Sequence, residues 1–454
     1  MTDHSGRELA WQVLNRIVTE QAYANLALQS ILQGAGEVEK REKAFCTELV
    51  YGTLRHLFKL DYLLGRLLSR PLHSLKPPMQ NLLRLALYQL IYLPDIPERA
   101  VCHSAVALVK TSRYKGLAAL VNGVLRNYLR VGPDLALPDP QQDLPAYLVV
   151  EYSHPRWLVE RWLPRFGPER TMAILKAANG RPPLTVRVNR LAVDSAQLAA
   201  QLQHDGVEST AGLFLPEALH LKNLPMALEA LPAFQAGQIT PQDESAMLVA
   251  HLVNPQPGET IIDLCAAPGG KSTHLAEMMC DQGRVFSLDD HPHKVELITA
   301  NARRLKLTAI QPICGDARNF VLEDGKGADA VLVDAPCSGT GVFRRRVDAR
   351  YRREPAEIGQ LASLQREILN QAATQVKPGG RLVYSTCTLE PEENGRQIAA
   401  FLADHPEFTL IAWQAFLPET LRDYLEEPAT QWATILPTPA GGDGFFICRL
   451  ERSG

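Results

Sequence analysis

Two cysteines in the second half of the chain, Cys337 and Cys387, stand where a thiolate could act as a nucleophile. Each follows a short apolar run, at 330–333 and 382–384, of the kind that forms a buried strand. The other cysteines outside such positions are expected to be small buried apolar residues. They are Cys46, Cys102, Cys280, Cys314 and Cys448.

A glycine turn follows another apolar run, in the segment DLCAAPGGKS (263–272). Gly269 and Gly270 allow the backbone to approach a ligand closely where a helix begins. The segment is not a Walker phosphate loop, because Cys265 stands where that loop needs its first glycine, and the chain has no GxGxxG dinucleotide fingerprint. Tight packing alone would also explain the glycines, so their interpretation depends on the residues around them.

Aspartates end the neighbouring apolar runs. Asp289 closes the run at 285–288, where doubly wound folds bind the two ribose hydroxyls with a carboxylate. Asp316 and Asp334 follow the next two runs. No metal-ligand cluster and no phosphate-binding cation accompanies them in the sequence, so we expect a nucleoside cofactor without a diphosphate, and no metal ion.

The elements that carry these residues alternate between strand and helix from about residue 240. Short apolar runs at 261–265, 285–288, 310–313, 330–333 and 382–384 are separated by helical segments such as 294–305 and 358–376. This alternation predicts a Rossmann-like α/β domain with a buried parallel sheet over 238–454. Ligands of such sheets bind outside the carboxyl ends of the strands, where the cysteines, glycines and aspartates stand.

A nucleophilic thiol beside a nucleoside cofactor fits one particular chemistry. Carbon 5 of cytosine is unreactive until a nucleophile adds to carbon 6, and a base must later remove the carbon 5 proton so that the thiol is eliminated. The base has to be unstacked for this reaction, which is easiest in an RNA loop.

The first 135 residues have helical periodicity instead. Apolar residues between Leu117 and Leu129 recur with the spacing of an amphipathic helix, and 82–92 is apolar nearly all round, as in the central helix of a bundle. The proline-rich stretch 136–147 is predicted to be a linker, and 148–237 a small α+β subdomain.

Composition excludes several classes of protein. A hydrophobic content of 46% with 21% charged residues is typical of a globular protein, and no apolar stretch approaches the ~20 residues of a membrane helix. The start, MTDHSGRELAW, has no secretory signal, and the eight cysteines form no CxxC pair that would indicate a disulfide framework or a zinc ribbon. We therefore expect a cytoplasmic monomer without a membrane partner.

The net charge of −3 is unevenly distributed. Residues 1–140 carry 17 basic and 12 acidic side chains, a net of +5, which leaves 30 against 38 and a net of −8 on the rest of the chain. The basic excess at the N-terminal end suits RNA phosphates, although a solvated helical surface would explain it equally well.

Four motifs resemble those of the RNA cytosine-5 methyltransferases that use S-adenosylmethionine. They are DLCAAPGGK (263–271), DAPCSGTG (334–341), YSTCTLEPEEN (384–394) and GDGFF (442–446). The segments GL (116–117) and VNGVLR (121–126) are similar to the helical domain related to the antitermination factor NusB. The resemblance thus spans nearly the whole chain and is to the bacterial 16S ribosomal RNA enzymes of the Sun or Fmu type.

The resemblance implies roles for the catalytic candidates. Cys387, in the Thr-Cys motif, would attack carbon 6, as in the RNA enzymes, whereas DNA cytosine-5 methyltransferases use only the Pro-Cys cysteine. Cys337 would assist breakdown of the adduct and product release. Asp334 would hydrogen-bond the cytosine edge near the cofactor, and Lys271 would face the target base.

The resemblance also implies a cofactor site and a substrate. S-adenosylmethionine, converted to S-adenosylhomocysteine, would lie with its ribose at Asp289, its adenine near Asp316 and Asp334 close by. Its methionine side would be lined by Cys265, Ala266, Ala267, Pro268, Gly269, Gly270 and Lys271. The partner would be small-subunit ribosomal RNA before full ribosome assembly, and not DNA.

The sequence departs from the family pattern at two places. His291 stands where a second acidic residue often follows Asp289, and the loop 344–351 diverges, its arginines being available either for phosphate contacts or for solvent. Two alternatives remain open, namely the same chemistry on transfer RNA and a catalytically inactive RNA-binding or antitermination module. Retention of Cys387, Cys337 and Asp334 argues against the inactive module.

Overall fold

A computed structural model describes residues 5–323, 325–439 and 442–454. The chain forms two compact units. One comprises the chain through Asn179 together with Phe343–Arg352, and the other comprises Gly180–Val342 with Arg353–Gly454. Within the described residues, no helix combines the length and apolarity that a membrane span requires.

The first unit is helical, as the periodicity predicts. Its helices are α1 (Gly6–Thr19), α2 (Ala24–Gly34), α3 (Lys40–Arg55), α4 (Leu57–Leu67), α5 (Pro77–Tyr92), α6 (Glu98–Thr111), α7 (Ala118–Val131), α8 (Leu144–Tyr152) and α9 (Arg156–Asn179). The apolar stripe of α7 places Val121, Val124 and Leu125 in a core shared with α5. Helix α8 begins inside the stretch predicted as a linker, because Asp143 caps its first turn by accepting a hydrogen bond from Ala146 N at 2.9 Å.

The segment Phe343–Arg352 belongs to the helical unit, although both its neighbours in sequence belong to the other. Asp348 accepts a hydrogen bond from the backbone N–H of Ala24 at 3.2 Å, at the start of α2. The side chain of Val347 lies in the core of the helical unit. The segment is therefore a structural part of the helical unit rather than a surface loop.

Arginines in this segment are buried. Arg350 is 0% exposed and donates to Asn179 Oδ1 at 2.6 Å and to Ala178 O at 2.8 Å, while Arg344 is 3% exposed. The sequence-based interpretation that these arginines face RNA phosphates or solvent is wrong for both residues, because a guanidinium inside the protein reaches neither.

The second unit begins with a small antiparallel sheet. Its strands are β1 (Leu184–Val188), β2 (Glu208–Ala211), β3 (Ala218–Lys222) and β4 (Ile239–Pro241), in the order β2-β3-β1-β4. Helices α10 (Ser195–His204) and α11 (Pro232–Gln235) accompany it. Val186, Leu198 and Ile239 form its core, so the predicted α+β character is confirmed, while the exact limits of the domains stay a prediction.

The rest of the second unit is a large mixed sheet flanked by helices. Its strands are β5 (Thr260–Asp263), β6 (Arg284–Asp289), β7 (Ile310–Cys314), β8 (Ala328–Asp334), β9 (Val376–Thr386), β10 (Phe408–Ile411), β11 (Ala433–Ile435) and β12 (Phe445–Arg452). The helices are α12 (Glu244–Val253), α13 (Gly270–Met278), α14 (Pro292–Leu305), α15 (Pro355–Gln375) and α16 (Gly395–Asp404).

Strand order decides where the candidate residues meet. The order is β10-β12-β9-β8-β5-β6-β7, with β11 paired to β12, and the five strands from β9 to β7 are parallel as predicted. The antiparallel strands β10, β11 and β12 were not predicted. Since β9, β8, β5 and β6 are consecutive neighbours, their carboxyl ends and the loops that follow them share one edge of the sheet.

Candidate active site

The two candidate thiols lie side by side. Strand β8 ends at Asp334 and β9 ends at Thr386, and the parallel register pairs Asp334 with Ser385. The loops that follow therefore start together, and they place Cys337 Sγ 3.3 Å from Cys387 Sγ without a disulfide bond. At this distance both sulfurs can act on the same substrate atom or its neighbour.

The surroundings of Cys337 favour its protonated form. Its hydrogen bond with Cys387 and its burial raise the pKa of the Cys337 thiol well above the ordinary value. At neutral pH this residue is thus a neutral thiol, which is a proton donor rather than a nucleophile.

A half-buried ion pair lies at the same edge. Lys271 Nζ at the start of α13 donates to Asp334 Oδ2, and Ser385 Oγ donates to Asp334 Oδ1 at 2.7 Å. Burial lowers the pKa of Lys271, but the Asp334 carboxylate outweighs that effect and the pKa is raised above its usual value. Lys271 also interacts electrostatically with Cys387, so its positive charge acts on both the Asp334 carboxylate and the Cys387 sulfur.

The glycine turn leads directly from β5 into α13. Gly269 has φ +98°, a conformation that favours glycine, and a Cβ there would lie 3.2 Å from the backbone of Ile298. At Gly270 a Cβ would meet only Gln242, at 3.9 Å, so the helix start is open on that side. The N–H groups of Ala266, Ala267 and Gly269 are bonded within the protein, so the N–H groups of this turn that could bind a ligand are those at the start of α13.

Arg187 of β1 fixes the start of α13, a role that sequence reasoning missed. The side chain is 0% exposed and donates to Gly270 O at 2.7 Å and to Thr273 Oγ1 at 3.0 Å. It also pairs with both carboxylate oxygens of Glu277, at 3.0 and 2.8 Å. No local motif marks this arginine, because its partners are more than 50 residues away in sequence.

Asp289 lies against the glycine turn. Its Oδ2 accepts from Ala267 N at 3.2 Å, and Lys294 Nζ lies 3.0 Å from Oδ1. Lys294 thus forms an ion pair with the buried Oδ1, which has no well-aligned hydrogen bond among the described residues. A carboxylate oxygen left in this state fits a ribose hydroxyl as its partner.

Asp316 is set apart from the other candidates. It follows β7, is partly exposed, and is bound by its neighbour Arg318, whose Nη2 donates to Oδ2 at 2.7 Å. This hydrogen bonding lowers the pKa of Asp316. None of these contacts connects Asp316 with the thiols or with Lys271.

A buried polar network fixes both cysteine loops, and it too was missed. Glu393, 0% exposed, accepts from Ser338 N at 2.9 Å, from Gln365 Nε2 at 2.9 Å and from Thr388 Oγ1 at 3.2 Å. Ser338 and Thr388, the residues directly after the two cysteines, are 2.7 Å apart through their hydroxyl oxygens. Since Ser338 and Thr388 lie within the cysteine motifs, those motifs were the available signal.

Gly341 and Gly444 belong to two different motifs, and their backbones are in contact. Gly341 N donates to Cys387 O at 3.0 Å, and Gly444 N donates to Gly341 O at 2.9 Å. A Cβ on Gly341 would lie 2.3 Å from Gly444 O, so the two backbones touch and neither position accepts a side chain without displacement. The GDGFF segment thereby supports the Cys337 loop from the start of β12.

Comparison with known proteins gives matches over three segments. Residues 4–130 match the NusB family, residues 154–227 match the RsmF/B-like methyltransferase ferredoxin-like domain, and residues 250–451 match the 16S rRNA methyltransferase RsmB/F family. These segments follow the helical, small α+β and Rossmann-like parts in order.

Similarity to individual proteins extends over the full length. The chain is 42% identical over 458 residues to the probable ribosomal RNA small subunit methyltransferase B of Bacillus subtilis, covering 100% of each. It is 38% identical to ribosomal RNA small subunit methyltransferase B of Sodalis glossinidius, covering 96% of this chain and 97% of the relative. The crystal structure of PH0851 has the same fold, with a TM-score of 0.81 at 26% identity over 99% of both chains.

Proposed function

We propose, since the chain belongs to the 16S rRNA methyltransferase RsmB/F family, that it transfers a methyl group from S-adenosylmethionine to carbon 5 of a cytosine in small-subunit ribosomal RNA. The observation that carries the cytosine-5 assignment is the pair of thiols 3.3 Å apart beside the Lys271–Asp334 ion pair. Covalent addition to a pyrimidine ring and the later elimination require a nucleophilic thiol and groups that transfer protons, and a second thiol can assist the elimination.

The cofactor would be held by the edge formed after β5, β6 and β7. The start of α13 offers N–H groups that have no partner within the helix, and Asp289 offers a buried carboxylate beside the glycine turn. Asp316 would lie toward the adenine, and Asp334 would border the site from β8. When bound, S-adenosylmethionine supplies an electrophilic methyl group on a sulfonium ion.

Cys387 is the proposed nucleophile. Its sulfur forms a bond to carbon 6 of cytosine, and the electron pair of the 5,6 double bond moves to carbon 5, which becomes nucleophilic. Lys271 provides a positive charge near this sulfur, which stabilises a thiolate. Cys337 is kept as a thiol by its surroundings and so does not compete for carbon 6.

The Lys271–Asp334 pair would bind the edge of the base. Asp334 shares its carboxylate between Lys271 and Ser385, which fixes its orientation. A cytosine that enters the site would accept from the lysine or donate its exocyclic amine to the carboxylate. Both contacts would hold carbon 6 over Cys387.

Release of the product needs a proton to leave carbon 5. A base removes that proton, its electron pair reforms the 5,6 double bond, and the bond between carbon 6 and Cys387 sulfur breaks. Cys337, 3.3 Å from the departing sulfur, would assist this breakdown by proton exchange with it.

The helical unit is the proposed RNA-binding part. Residues 4–130 match the NusB family, and residues 1–140 carry the basic excess of the chain. Bases displaced from an RNA loop suit the covalent chemistry, so the substrate would be ribosomal RNA before it is packed into the finished subunit. We propose that the enzyme acts as a monomer.

Incubation with radiolabelled S-adenosylmethionine and nucleoside analysis tests this function. Protein-free 16S ribosomal RNA, transfer RNA and, as a control, the Cys387→Ala variant are compared. We expect label in 5-methylcytidine from ribosomal RNA and none with the variant. Label in transfer RNA alone would assign the other substrate, and label in no RNA would contradict the proposed activity.

A further inference from the structure

Two histidines and a glutamate meet at a point that the proposed reaction does not use. Glu217 lies just before β3, His251 is on α12 and His274 is on α13. One ligand atom from each residue can be chosen so that all three lie within 4.8 Å of one another. Three distant parts of the chain thus converge on one small volume inside the second unit.

The distances in this cluster suit a shared ligand. His251 Nε2 lies 2.5 Å from Glu217 Oε1, and His274 Nε2 lies 3.5 Å from the same oxygen. Ligand atoms of a tetrahedral zinc ion, at zinc–nitrogen distances of about 2.0–2.1 Å, are separated by about 3.3 Å. Small side-chain adjustments would therefore admit an ion between the three groups.

Two buried polar atoms in the cluster are unused. Glu217 is 3% exposed, and its Oε2 has no hydrogen-bond partner among the described residues. His274 is also 3% exposed, and its Nδ1 has none. A buried carboxylate oxygen is costly to leave unsatisfied, so Glu217 Oε2 indicates a missing partner, whereas His274 would bind an ion through Nε2 and its Nδ1 lies on the other side of the ring.

The charges of the cluster are compatible with a cation. The nearby cation Arg187 interacts electrostatically with His274. Arg187 itself is neutralised by its two contacts with Glu277, at 3.0 and 2.8 Å. The side chain of His251 is 24% exposed and gives an ion a route from solvent.

The geometry points to a metal site formed by Glu217, His251 and His274, which would take a zinc ion or a similar divalent transition metal. Two histidines with one glutamate are a ligand set that zinc uses, with water in the fourth position. The ion would join the segment before β3 to α12 and α13. Since Lys271 also lies on α13, bound metal would stabilise the helix whose start forms the glycine turn, without taking part in methyl transfer.

Metal titration of the full chain tests the site. Protein stripped with a chelator is titrated with Zn²⁺ and with Co²⁺, and bound metal is measured by mass spectrometry. We expect one tightly held ion per chain, a higher melting temperature with zinc, and a Co²⁺ spectrum of nitrogen and oxygen ligands without a thiolate charge-transfer band. A thiolate band would instead assign the metal to the cysteine pair.

Variants separate this site from other sources of binding. Glu217→Gln and His251→Ala should each weaken zinc binding at least about tenfold, because loss of a direct ligand costs no less than loss of its hydrogen-bonded support. His204→Ala, at a side chain 91% exposed, and the double variant Cys337→Ser/Cys387→Ser should bind as the unaltered chain does.

Besides a thiolate band, three results would overturn the proposal. They are a chain that retains no metal, equal binding by His251→Ala and the unaltered chain, and loss of binding in the double cysteine variant. The first would mean that the direct contact between His251 and Glu217 takes the place of an ion. If both ligand variants fail to fold, the Co²⁺ spectrum of the unaltered chain still distinguishes nitrogen and oxygen ligands from thiolate ligands.

Discussion

The two thiols are close neighbours, and the same polar network holds both of their loops. The polar network around Glu393 fixes the residues that follow each sulfur, Ser338 after Cys337 and Thr388 after Cys387. Glu393 has all its carboxylate bonds directed to these loops and to Gln365, and burial raises its pKa. It is therefore a positioning residue, whose effect reaches the reaction only through the distance between the sulfurs.

We predict that Glu393→Gln lowers kcat about tenfold or more with little change in KM, because an amide NH₂ cannot accept the bonds that the carboxylate accepts. Steady-state methylation kinetics measure this effect. The same variant should lose the ability to be bridged by a bifunctional arsenical, which must bind both sulfurs at once. Glu392→Gln, one residue earlier, is the matched control, and equal behaviour of the two variants would contradict the positioning role.

Asp263 predicts a pH dependence of stability. It is fully buried at the end of β5, accepts from Ser272 Oγ at 2.6 Å, and burial raises its pKa to about 7 from an ordinary 3.8. Between these values the folded protein keeps a proton that the unfolded chain has lost, so stability falls as pH rises from about 4 to about 7.

Urea unfolding at pH 5 and pH 8 measures this effect. Asp263→Asn should unfold with a smaller difference between the two pH values than the unaltered chain, because its side chain does not ionise. Asp404→Asn, at an exposed position, should behave as the unaltered chain does. A pH dependence left unchanged in Asp263→Asn would show that the carboxyl group does not titrate in this window.

At the scale of elements, the segment Phe343–Arg352 is the clearest departure from expectation. Its arginines are polar and charged, and sequence reasoning assigns such residues to solvent or to a polyanion. Their burial depends on acceptors supplied by α9, namely Asn179 Oδ1 and Ala178 O, about 170 residues away in sequence. Because these acceptors are so distant in sequence, no local sequence pattern predicts that the arginine is buried.

We predict that Arg350→Met destabilises the helical unit by about 2 to 5 kcal/mol, since two buried acceptors lose their donor. Urea unfolding followed by circular dichroism measures the change. Arg346→Met, four residues earlier and exposed, is the control and should be within about 0.5 kcal/mol of the unaltered chain. Equal stability of both variants would mean that Arg350 is not needed for packing.

Helices and strands were predictable where a single sequence pattern determines them. The stripe of α7 and the parallel strands β5 to β9 follow from periodicity and from apolar runs bounded by turns. Only part of the small sheet could be predicted from the sequence, because β2 is four residues long and mostly exposed. The edge strand β12 (FFICRLER) has six consecutive buried residues and no alternation, so its antiparallel pairing with β9 could not be derived from its sequence.

At the scale of the whole molecule, the succession of helical, small α+β and Rossmann-like parts was predictable and is confirmed by the matched families. The site residues that lie within sequence motifs were predictable. Cys337, Cys387, Asp334 and Lys271 do meet, whereas Arg187 could be found only in three dimensions because it comes from another sheet.

Charge is distributed unevenly over the whole molecule. A net of +5 on residues 1–140 and −8 on the rest means that the whole chain has no basic excess with which to hold RNA nonspecifically. Selectivity of the proposed methyl transfer would therefore depend on the target base entering the cysteine site rather than on bulk charge.

The covalent adduct is the most direct test of the central claim. Cys337→Ala, incubated with 16S ribosomal RNA and S-adenosylmethionine, is analysed on a denaturing gel for RNA that stays bound to protein. We predict a stable protein–RNA complex with this variant, and none with Cys337→Ala/Cys387→Ala or with Cys387→Ala. A complex that forms without Cys387 would contradict its assignment as the nucleophile.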